Sequence, residues 1–224
     1  MNLKKRNAII FDMDGLMVDT EPLSHRAWDE LLRPFGHKLT NGIVKNIVGL
    51  RADVSAQVVC EAFDLPFTVD EIIERRGPIY AKIRAEGVTA MPGLMPLHEL
   101  IAARGIPWAV ATSSSRQHAN EILAQLNLSP TNGAMACGNE VSNGKPAPDI
   151  YLLAAERLGF APANCLALED SGPGSKAAVS AGMLTAAIPN EHTKTAVFSH
   201  AHFVFNSLHD VVDKFDQFFG GTGD

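Results

Sequence analysis

The sequence predicts an α/β fold in which an all-helical domain is inserted into a domain built on a parallel sheet. Three observations predict it. A short, wholly apolar run covers residues 8–11, helical periodicity without a strand pattern covers residues 21–86, and strand and helix patterns alternate from residue 94 onwards. Such alternation is typical of a parallel sheet covered by helices on its faces.

The apolar run at residues 8–11 predicts a strand buried on both faces, because strands of parallel sheets read as continuous apolar runs. The helical insert follows it, with apolar stripes at helical spacing. Within the insert, Gly77-Pro78 indicates either a turn or the start of the last helix. We therefore assign residues 1–17 and 90–224 to the α/β core domain and residues 18–89 to the helical domain.

The later part of the chain is predicted to alternate regularly between helices and strands. Helices are predicted over residues 94–104, 115–126, 148–158, 172–181 and 207–218. Strands are predicted over residues 106–111, 134–137, 165–168, 184–188 and 203–205. The glycine-rich tail at residues 220–224 is predicted to be loose.

The composition is that of an ordinary globular protein. The 224 residues are 46% hydrophobic and 20% charged, which excludes disordered and collagen-like chains and allows a sizeable buried core. A formal net charge of −6 gives no basic surface for nucleic acid or an anionic membrane. A small charged metabolite is compatible with this balance.

The cysteines and the N-terminus indicate the compartment. The three cysteines, Cys60, Cys137 and Cys165, are odd in number and lack C-x-x-C spacing, so the sequence suggests neither a disulfide framework nor a zinc site. The apolar run near the N-terminus is too short for a signal peptide, and no segment approaches the ~20 apolar residues of a membrane span. We expect a cytoplasmic protein.

Polar side chains follow three of the predicted strands, at the point where each strand ends. They are Asp12 and Asp14, Thr112 and Ser113, and Glu169 and Asp170. In open α/β sheets the ligand crevice lies beyond this edge of the sheet. Four carboxylates in one crevice, with Lys145 as the one obvious cation, carry a formal charge of about −3 and favour a hard divalent cation, most simply Mg²⁺.

The same residues fit the chemistry of phosphoryl transfer. Asp12 and Asp14 fit a nucleophile and a general acid/base. Thr112 offers a hydroxyl, Ser113 a backbone N–H and Lys145 a cation to phosphoryl oxygens. Taken alone, each group is also typical of something simpler: a turn after a strand, a helix cap or a surface lysine. Their succession at neighbouring strand ends favours a site.

Four sequence motifs resemble those of the haloacid dehalogenase superfamily, in the form of its phosphatases and phosphomutases with a helical cap. The motifs are Asp12-Met13-Asp14-Gly15, Thr112-Ser113, Gly144-Lys145-Pro146 and Glu169-Asp170-Ser171. The resemblance implies a Rossmann-like core domain, with the insert as its cap. It implies Asp12 as the nucleophile and Asp14 as the acid/base. Asp12, the Asp14 main-chain carbonyl and Asp170 are the implied Mg²⁺ ligands, with support from Glu169.

Within the superfamily the chain is similar to the β-phosphoglucomutase-like branch, which contains both mutases and phosphatases. The mutase has a histidine at the place of Ser24, and of the basic pair in its cap loop only Arg51 is kept here. A mutase must hold a second phosphate on its cap, which needs cationic donors. We therefore predict a Mg²⁺-dependent phosphatase of small phosphate monoesters, with sugar phosphates as the expected substrates and Arg51 as a candidate substrate contact. A sugar phosphomutase is the alternative.

Two further hypotheses are a binding module, which belongs to another functional class, and a phosphonate hydrolase of the same superfamily. A catalytically silent binding module would be expected to lack a motif carboxylate or the lysine, and all are present. A phosphonate hydrolase would need a Schiff-base lysine in the cap, and no cap lysine lies in a recognisable pattern. By resemblance we expect a monomer that binds a small phosphorylated substrate, with neither nucleic acid nor a membrane as partner.

Overall fold

A six-stranded parallel sheet lies at the centre of the computed structural model, which describes residues 4–220. The strands are β1 (Ala8–Phe11), β2 (Trp108–Thr112), β3 (Met135–Cys137), β4 (Cys165–Glu169), β5 (Leu184–Ala187) and β6 (Phe203–Val204). Their order across the sheet is β3-β2-β1-β4-β5-β6, and every pair is parallel. The predicted α/β class with a parallel-sheet core is confirmed. The sheet order places β1, which carries the first motif, between β2 and β4.

In the described part of the chain, six α-helices follow the insert: α5 (Leu94–Ala103), α6 (Arg116–Leu126), α7 (Asp149–Leu158), α8 (Gly172–Ser180), α9 (Leu208–Asp213) and α10 (Phe215–Phe219). Alternate residues of β1 face opposite sides of the sheet, as the two-residue repeat of a strand requires. Ile9 and Phe11 belong to a core formed with α5, α6, α9 and α10, whereas Ile10 packs with α7 and α8. Both faces of the sheet are therefore covered, which explains the continuous apolar sequence of β1.

The insert between β1 and α5 forms a helical unit with a core of its own. Its helices are α1 (Glu21–Leu32), α2 (Asn41–Ile47), α3 (Ala52–Phe63) and α4 (Val69–Arg84). Buried side chains including Trp28, Leu32, Val59 and Ile72 form its centre. Two antiparallel segments join it to the sheet, since Asp19 N donates to Thr89 O over 2.9 Å and Met91 N to Met17 O over 2.9 Å. The division at residues 17/18 and 89/90 stays a prediction.

The insert's last helix differs from the prediction. Gly77-Pro78 neither breaks α4 nor begins it, because α4 runs unbroken from Val69 to Arg84. The helix begins with a capping box in which Glu71 N donates to the Thr68 hydroxyl and the Glu71 carboxylate accepts from Thr68 N. Proline removes one backbone hydrogen bond, but Pro78 lies on the exposed side, where water can satisfy the freed carbonyl.

The C-terminal helix also differs from the prediction. The helix expected over residues 207–218 is two short helices, α9 and α10, because Lys214 leaves helical geometry with φ −107° and ψ 11°. The change of direction lets Phe215 and Phe218 both bury against the sheet. Apart from residue 220, the predicted loose tail lies outside the described residues. Within residues 4–220, the helices are all too short or too polar to cross a membrane.

Candidate active site

The carboxyl edge of the sheet brings the four motifs together. Asp12 directly follows β1 and is bonded to the neighbouring strand, since Asp12 N donates to Leu168 O over 2.9 Å. Thr112 ends β2 and Glu169 ends β4, on either side of β1. Lys145 reaches the same place from the loop between β3 and α7. Parallel strands end at a common edge, which is why residues more than 100 positions apart in sequence meet here.

A buried lysine bridges two buried carboxylates. The Lys145 ammonium group donates to the carboxylate of Asp12 and, over 2.6 Å, to Glu169 Oε1. Asp12, Lys145, Glu169 and Asp170 are each at most 6% exposed. Ionised together they carry a formal charge of −2, and buried like charges are costly unless a partner balances them. A cation is the partner that this arrangement calls for.

Glu169 is fixed by several donors besides the lysine. Ser171 donates to Glu169 Oε2 from its backbone N over 2.8 Å and its hydroxyl over 2.9 Å, and the Tyr151 hydroxyl donates to Oε1 over 3.2 Å. Gly174, in the first turn of α8, comes so close that a Cβ there would collide with the Glu169 carboxylate. The glycine thus allows α8 to begin directly against the motif.

The acidic cluster fits a hard metal ion. Asp12, Glu169 and Asp170 each offer a carboxylate oxygen, and these oxygens lie within 4.8 Å of one another. Asn190 fixes Asp170 by donating to Asp170 Oδ2 over 2.8 Å and to the carbonyl of Gly15 over 3.0 Å. Gly15 has φ +87°, and a Cβ there would collide with Asp170. Carboxylate and carbonyl oxygens are the donors that Mg²⁺ prefers, so the donor set fits that ion. The Asp14 carboxylate is not in this group.

Burial raises the pKa values of the acidic cluster. Loss of solvation raises the pKa of Asp12 to about 8, against the lowering effect of Lys145. Burial likewise raises the pKa of Asp170 well above its usual range, helped by the charges of Glu169 and Asp12. For Lys145, the two carboxylates outweigh the cost of burial and raise the pKa of its ammonium group above the usual value. The lysine is therefore firmly charged, whereas a bound cation is needed to keep every carboxylate ionised.

Asp14 lies in a different environment from Asp12. Three hydroxyls donate to its carboxylate: Thr20 over 2.8 Å, Ser114 over 2.8 Å and Thr112 over 3.2 Å. His118 Nε2 lies 3.7 Å from Asp14 Oδ1. Burial by itself would raise the pKa of Asp14, but His118 and the three hydroxyls outweigh it and lower that pKa. Without a bound ion or substrate, two carboxylates two residues apart therefore have opposite tendencies to hold a proton, with Asp12 the one that holds it more tightly.

Ser113 and Arg51 connect the insert to the core domain. The Ser113 hydroxyl donates to Gly49 O over 3.1 Å. Arg51 pairs with Asp53 over 3.0 Å, and its Nη1 donates to the main-chain carbonyls at positions 141 and 142 over 3.1 and 3.3 Å. Arg51 is not among the residues that line the cavity beside Asp12. The structure thus brings together the predicted residues of the sheet edge but does not bring Arg51 to them.

A cavity of about 540 Å³ opens between the sheet edge and the helical insert. Asp12, Asp14 and the segment that begins at Thr112 line one side. The sequence analysis did not predict the other charged and aromatic side chains of the lining, which are Glu21, Trp28, Arg76, Tyr80 and Arg84 from the insert and His118 beside Asp14. Residues 76, 80 and 84 have the four-residue spacing of one helix face. The sequence analysis did not use this spacing, because it expected Gly77-Pro78 to interrupt or begin the helix.

Burial shifts the pKa values of these lining side chains. Loss of solvation raises the pKa of Glu21 to about 7 and lowers the pKa of Arg76 to about 10. Burial also lowers the pKa of His118, against the opposite effect of Asp14. A guanidinium group stays charged at these values, whereas Glu21 exchanges its proton near neutral pH. The far side of the cavity thus offers both donors and an acceptor.

Comparison with known proteins identifies the family. The model of the haloacid dehalogenase-like hydrolases matches residues 7–182. The chain belongs to the haloacid dehalogenase-like hydrolases. The prediction of an enzyme of this family is confirmed.

Individual relatives match most of the chain. The chain is 36% identical over 214 residues to a probable pseudouridine-5′-phosphatase of Drosophila melanogaster, covering 93% of this chain and 92% of the relative. It is 34% identical over 176 residues to a phosphorylated carbohydrates phosphatase of Thermotoga maritima, covering 79% and 82%. A β-phosphoglucomutase structure from Clostridium difficile shares the fold, with a TM-score of 0.82, 24% identity and coverage of 95% and 96%. The resemblance to this branch of phosphatases and mutases is confirmed.

Proposed function

We propose that the protein is a Mg²⁺-dependent phosphatase that hydrolyses small phosphate monoesters, principally sugar phosphates, through a phosphorylated Asp12. The buried cluster of Asp12, Glu169, Asp170 and Lys145, in which Asp12 lines the cavity, carries this proposal. Two relatives, the probable pseudouridine-5′-phosphatase and the phosphorylated carbohydrates phosphatase, support small phosphorylated compounds as substrates, and the second supports sugar phosphates among them. Asp12, Asp170 and the main-chain carbonyl of Asp14 would hold the ion, with Glu169 in support.

The first half of the reaction forms the phosphorylated enzyme. When bound, Mg²⁺ would supply positive charge that draws the phosphate to Asp12 and offsets charge as it moves. A carboxylate oxygen of Asp12 attacks phosphorus, and the bond between phosphorus and the alcohol oxygen breaks. Asp14 donates a proton to that oxygen, so the alcohol leaves neutral. Lys145, the Thr112 hydroxyl and the Ser113 backbone N–H bind the oxygens of the transferred group.

The second half of the reaction returns the enzyme to its starting state. Water attacks the phosphorus of the aspartyl-phosphate, and Asp14, now ionised, accepts a proton from it. The bond between phosphorus and the Asp12 oxygen breaks, and inorganic phosphate is formed. The balance is one ester and one water consumed for one alcohol and one phosphate.

Substrate binding would prepare Asp14 for the acid step. Without substrate, His118 and the three hydroxyls lower the pKa of Asp14, so Asp14 is ionised. A bound phosphate brings negative charge next to Asp14 and competes for the Thr112 hydroxyl, and both effects raise the pKa of Asp14. The enzyme thus gains its acid when there is an ester to cleave.

A sugar phosphomutase is the second candidate, because Arg76 and Arg84 line the cavity from the side of the insert. In a mutase the sugar bisphosphate reorients within the active site without being released. Its second phosphate therefore needs cationic donors opposite Asp12. The two enzymes differ in their products: a phosphatase releases inorganic phosphate, and a mutase returns an isomeric sugar phosphate.

The deciding experiment measures phosphate release from sugar phosphates, nucleotides and one phosphonate, with Mg²⁺ and with EDTA, and identifies the organic product by NMR and mass spectrometry. We expect Mg²⁺-dependent release from a sugar phosphate. Asp12→Asn should abolish turnover and keep the fold, whereas Asp213→Asn, a matched change at an exposed site in α9, should leave it unchanged. Isomerisation without release would establish the mutase. Release that persists in EDTA, or near-wild-type turnover by Asp12→Asn, would contradict the mechanism.

A further inference from the structure

Asn190 lies in the loop after β5, and its side-chain amide has a full set of hydrogen-bond partners. Its Nδ2 donates to Asp170 Oδ2 over 2.8 Å and to Gly15 O over 3.0 Å. Its Oδ1 accepts from His192 N over 2.8 Å and from Thr193 N over 3.1 Å. Both partners of Nδ2 are acceptors and both partners of Oδ1 are donors, which fixes the orientation of the amide.

Asp170 depends on this amide more than the other carboxylates of the site depend on any one donor. The Glu169 carboxylate accepts from two side chains besides the lysine, and Asp14 accepts from three hydroxyls. Within residues 4–220, the Asn190 amide is the one hydrogen-bond donor to the Asp170 carboxylate. Asp170 is 2% exposed, so water has little access to replace that donor. Without Asn190, the orientation of the Asp170 carboxylate is therefore poorly fixed.

The second hydrogen bond of the amide reaches the segment that follows β1. Gly15 comes directly after Asp14, whose main-chain carbonyl is a proposed ligand of the ion. Gly15 has φ +87°, and a Cβ there would collide with Asp170 and with the Asn190 amide. One amide group thus connects the segment after β1 with the segment after β4. These are the two segments that supply the proposed ligands of the ion.

The loop holds Asn190 in one conformation. Asn190 N donates to the Thr193 hydroxyl over 2.9 Å, and Lys194 N donates to Asn190 O over 2.9 Å. An asparagine that accepts from main-chain N–H groups further along the chain is typical of a tight turn. Thr193 and Phe198 are buried and anchor the loop in the core domain. The amide therefore reaches Asp170 from a fixed starting point.

A neutral amide suits a place next to a cation site. A lysine at this position would offset the charge of Asp170 and compete with the ion, whereas an amide donates a hydrogen bond and leaves that charge in place. Asn190 is not among the residues that line the cavity, so it does not contact the substrate. Its partners belong to the cation site and to its own loop.

We propose that Asn190 is a positioning residue for the divalent cation, and that it sets the affinity for the ion by holding Asp170 and the main chain at Gly15 in place. Groups that orient metal ligands in this way typically change metal affinity by about 10–100-fold when they are lost. This inference rests on the proposed function, since it assumes the cation that the function requires.

The test measures binding of Mn²⁺ to the full, metal-free chain by EPR, with Mg²⁺ measured by competition. Mn²⁺ prefers the same oxygen ligands as Mg²⁺. In Asn190→Ser the hydroxyl can still accept from the N–H groups of the turn but is too short to reach Asp170 and Gly15, and Asn190→Ala loses both functions. We expect both variants to bind the ions about 10–100-fold more weakly than the wild-type chain.

The matched control is Asn120→Ser, the same change at an exposed position of α6, which should bind both ions as the wild-type chain does. Asn190→Gln keeps the amide but carries it one methylene further out, so it should weaken binding in the same direction. It carries the test if Asn190→Ser gives no cooperative urea transition. In steady-state kinetics, the Mg²⁺ concentration for half-maximal activity should rise in Asn190→Ser, whereas kcat at saturating Mg²⁺ and the KM for the substrate should be kept.

The outcomes separate this inference from the proposed function. If the wild-type chain binds the ions and Asn190→Ser binds them equally well, Asn190 does not position the cation site and the phosphatase stands. If only Asn190→Ala binds them weakly, the role of Asn190 is confined to the turn, and the inference is wrong. If the wild-type chain binds neither ion, the proposed function fails, and this inference fails with it.

Discussion

Removing the metal should make the folded state lose stability steeply as the pH rises, and Asp12 should account for much of that loss. Asp12 is buried beside Glu169 and Asp170, with Lys145 as their common cation. Without a divalent ion, ionising Asp12 adds a further negative charge to this buried cluster. The perturbation is therefore EDTA together with a change of pH, and Asp12→Asn is the variant that removes the titrating group.

The magnitude follows from the pKa of Asp12. Burial raises this pKa from 3.8 to about 8, so between pH 5 and pH 7 the native state keeps a proton that the unfolded chain has lost. Because the native state binds more protons, the free energy of unfolding falls as pH rises, by at most about 1.4 kcal/mol per pH unit for one proton. From pH 5 to pH 7 the loss is about 3 kcal/mol, a large share of the stability of an ordinary domain.

The assay is urea unfolding in EDTA at pH 5, 6 and 7, repeated with Mg²⁺. In EDTA we expect the free energy of unfolding of the wild-type chain to fall as the pH rises. For Asp12→Asn it should fall less steeply, by up to the contribution of one proton. Asp170 still titrates in the variant, so the slope falls without vanishing. Mg²⁺ binds the ionised carboxylates and should stabilise the wild-type chain more at pH 7 than at pH 5. If the free energy of unfolding depends equally on pH for the two proteins in EDTA, Asp12 is not the group that holds the proton.

Three further predictions concern single side chains. Asp14→Asn should slow both alcohol release and hydrolysis of the intermediate by about 10²–10⁴-fold, the usual effect of losing a general acid/base. Rapid-quench measurement of alcohol and phosphate tests this. If hydrolysis of the aspartyl-phosphate is unaffected, Asp14 is not the base of that step. Arg51→Ala removes the ion pair with Asp53 and the hydrogen bonds to the core domain, and should increase chymotrypsin cleavage after Leu50. The free energy of unfolding should fall by about 1 kcal/mol or less, because the ion pair is partly exposed. A loss of activity beyond about 10³-fold with unchanged proteolysis would point instead to a contact between Arg51 and the substrate. Tyr151→Phe deletes the hydroxyl that donates to buried Glu169 and should lower the free energy of unfolding by about 1.5–3 kcal/mol, as measured by urea titration. If the midpoint and the slope of the urea transition are unchanged, this hydrogen bond does not contribute to stability.

The sequence alone was sufficient for the α/β class and for the residues at the sheet edge. The apolar runs, such as residues 8–11, and the polar groups that follow them are local sequence patterns. Because parallel strands end at one edge of the sheet, these patterns predict that the polar groups form one site. Asp12, Glu169, Asp170 and Lys145 do lie together, as those patterns predict. The resemblance also indicated the family, since its motifs occupy short, contiguous stretches.

Only the tertiary structure decided what the rest of the cavity contains. Whether α4 continues through Pro78 depends on packing that the neighbouring residues do not encode, and with that continuity Arg76 and Arg84 share one helix face. His118 lies beside Asp14 because α6 starts right after β2. Arg51 does not line the cavity, and its donors bind Asp53 and main-chain carbonyls of the core domain. Sequence periodicity determines which residues are buried. It does not determine which polar groups meet across two packed domains, because those contacts depend on the geometry of the whole chain.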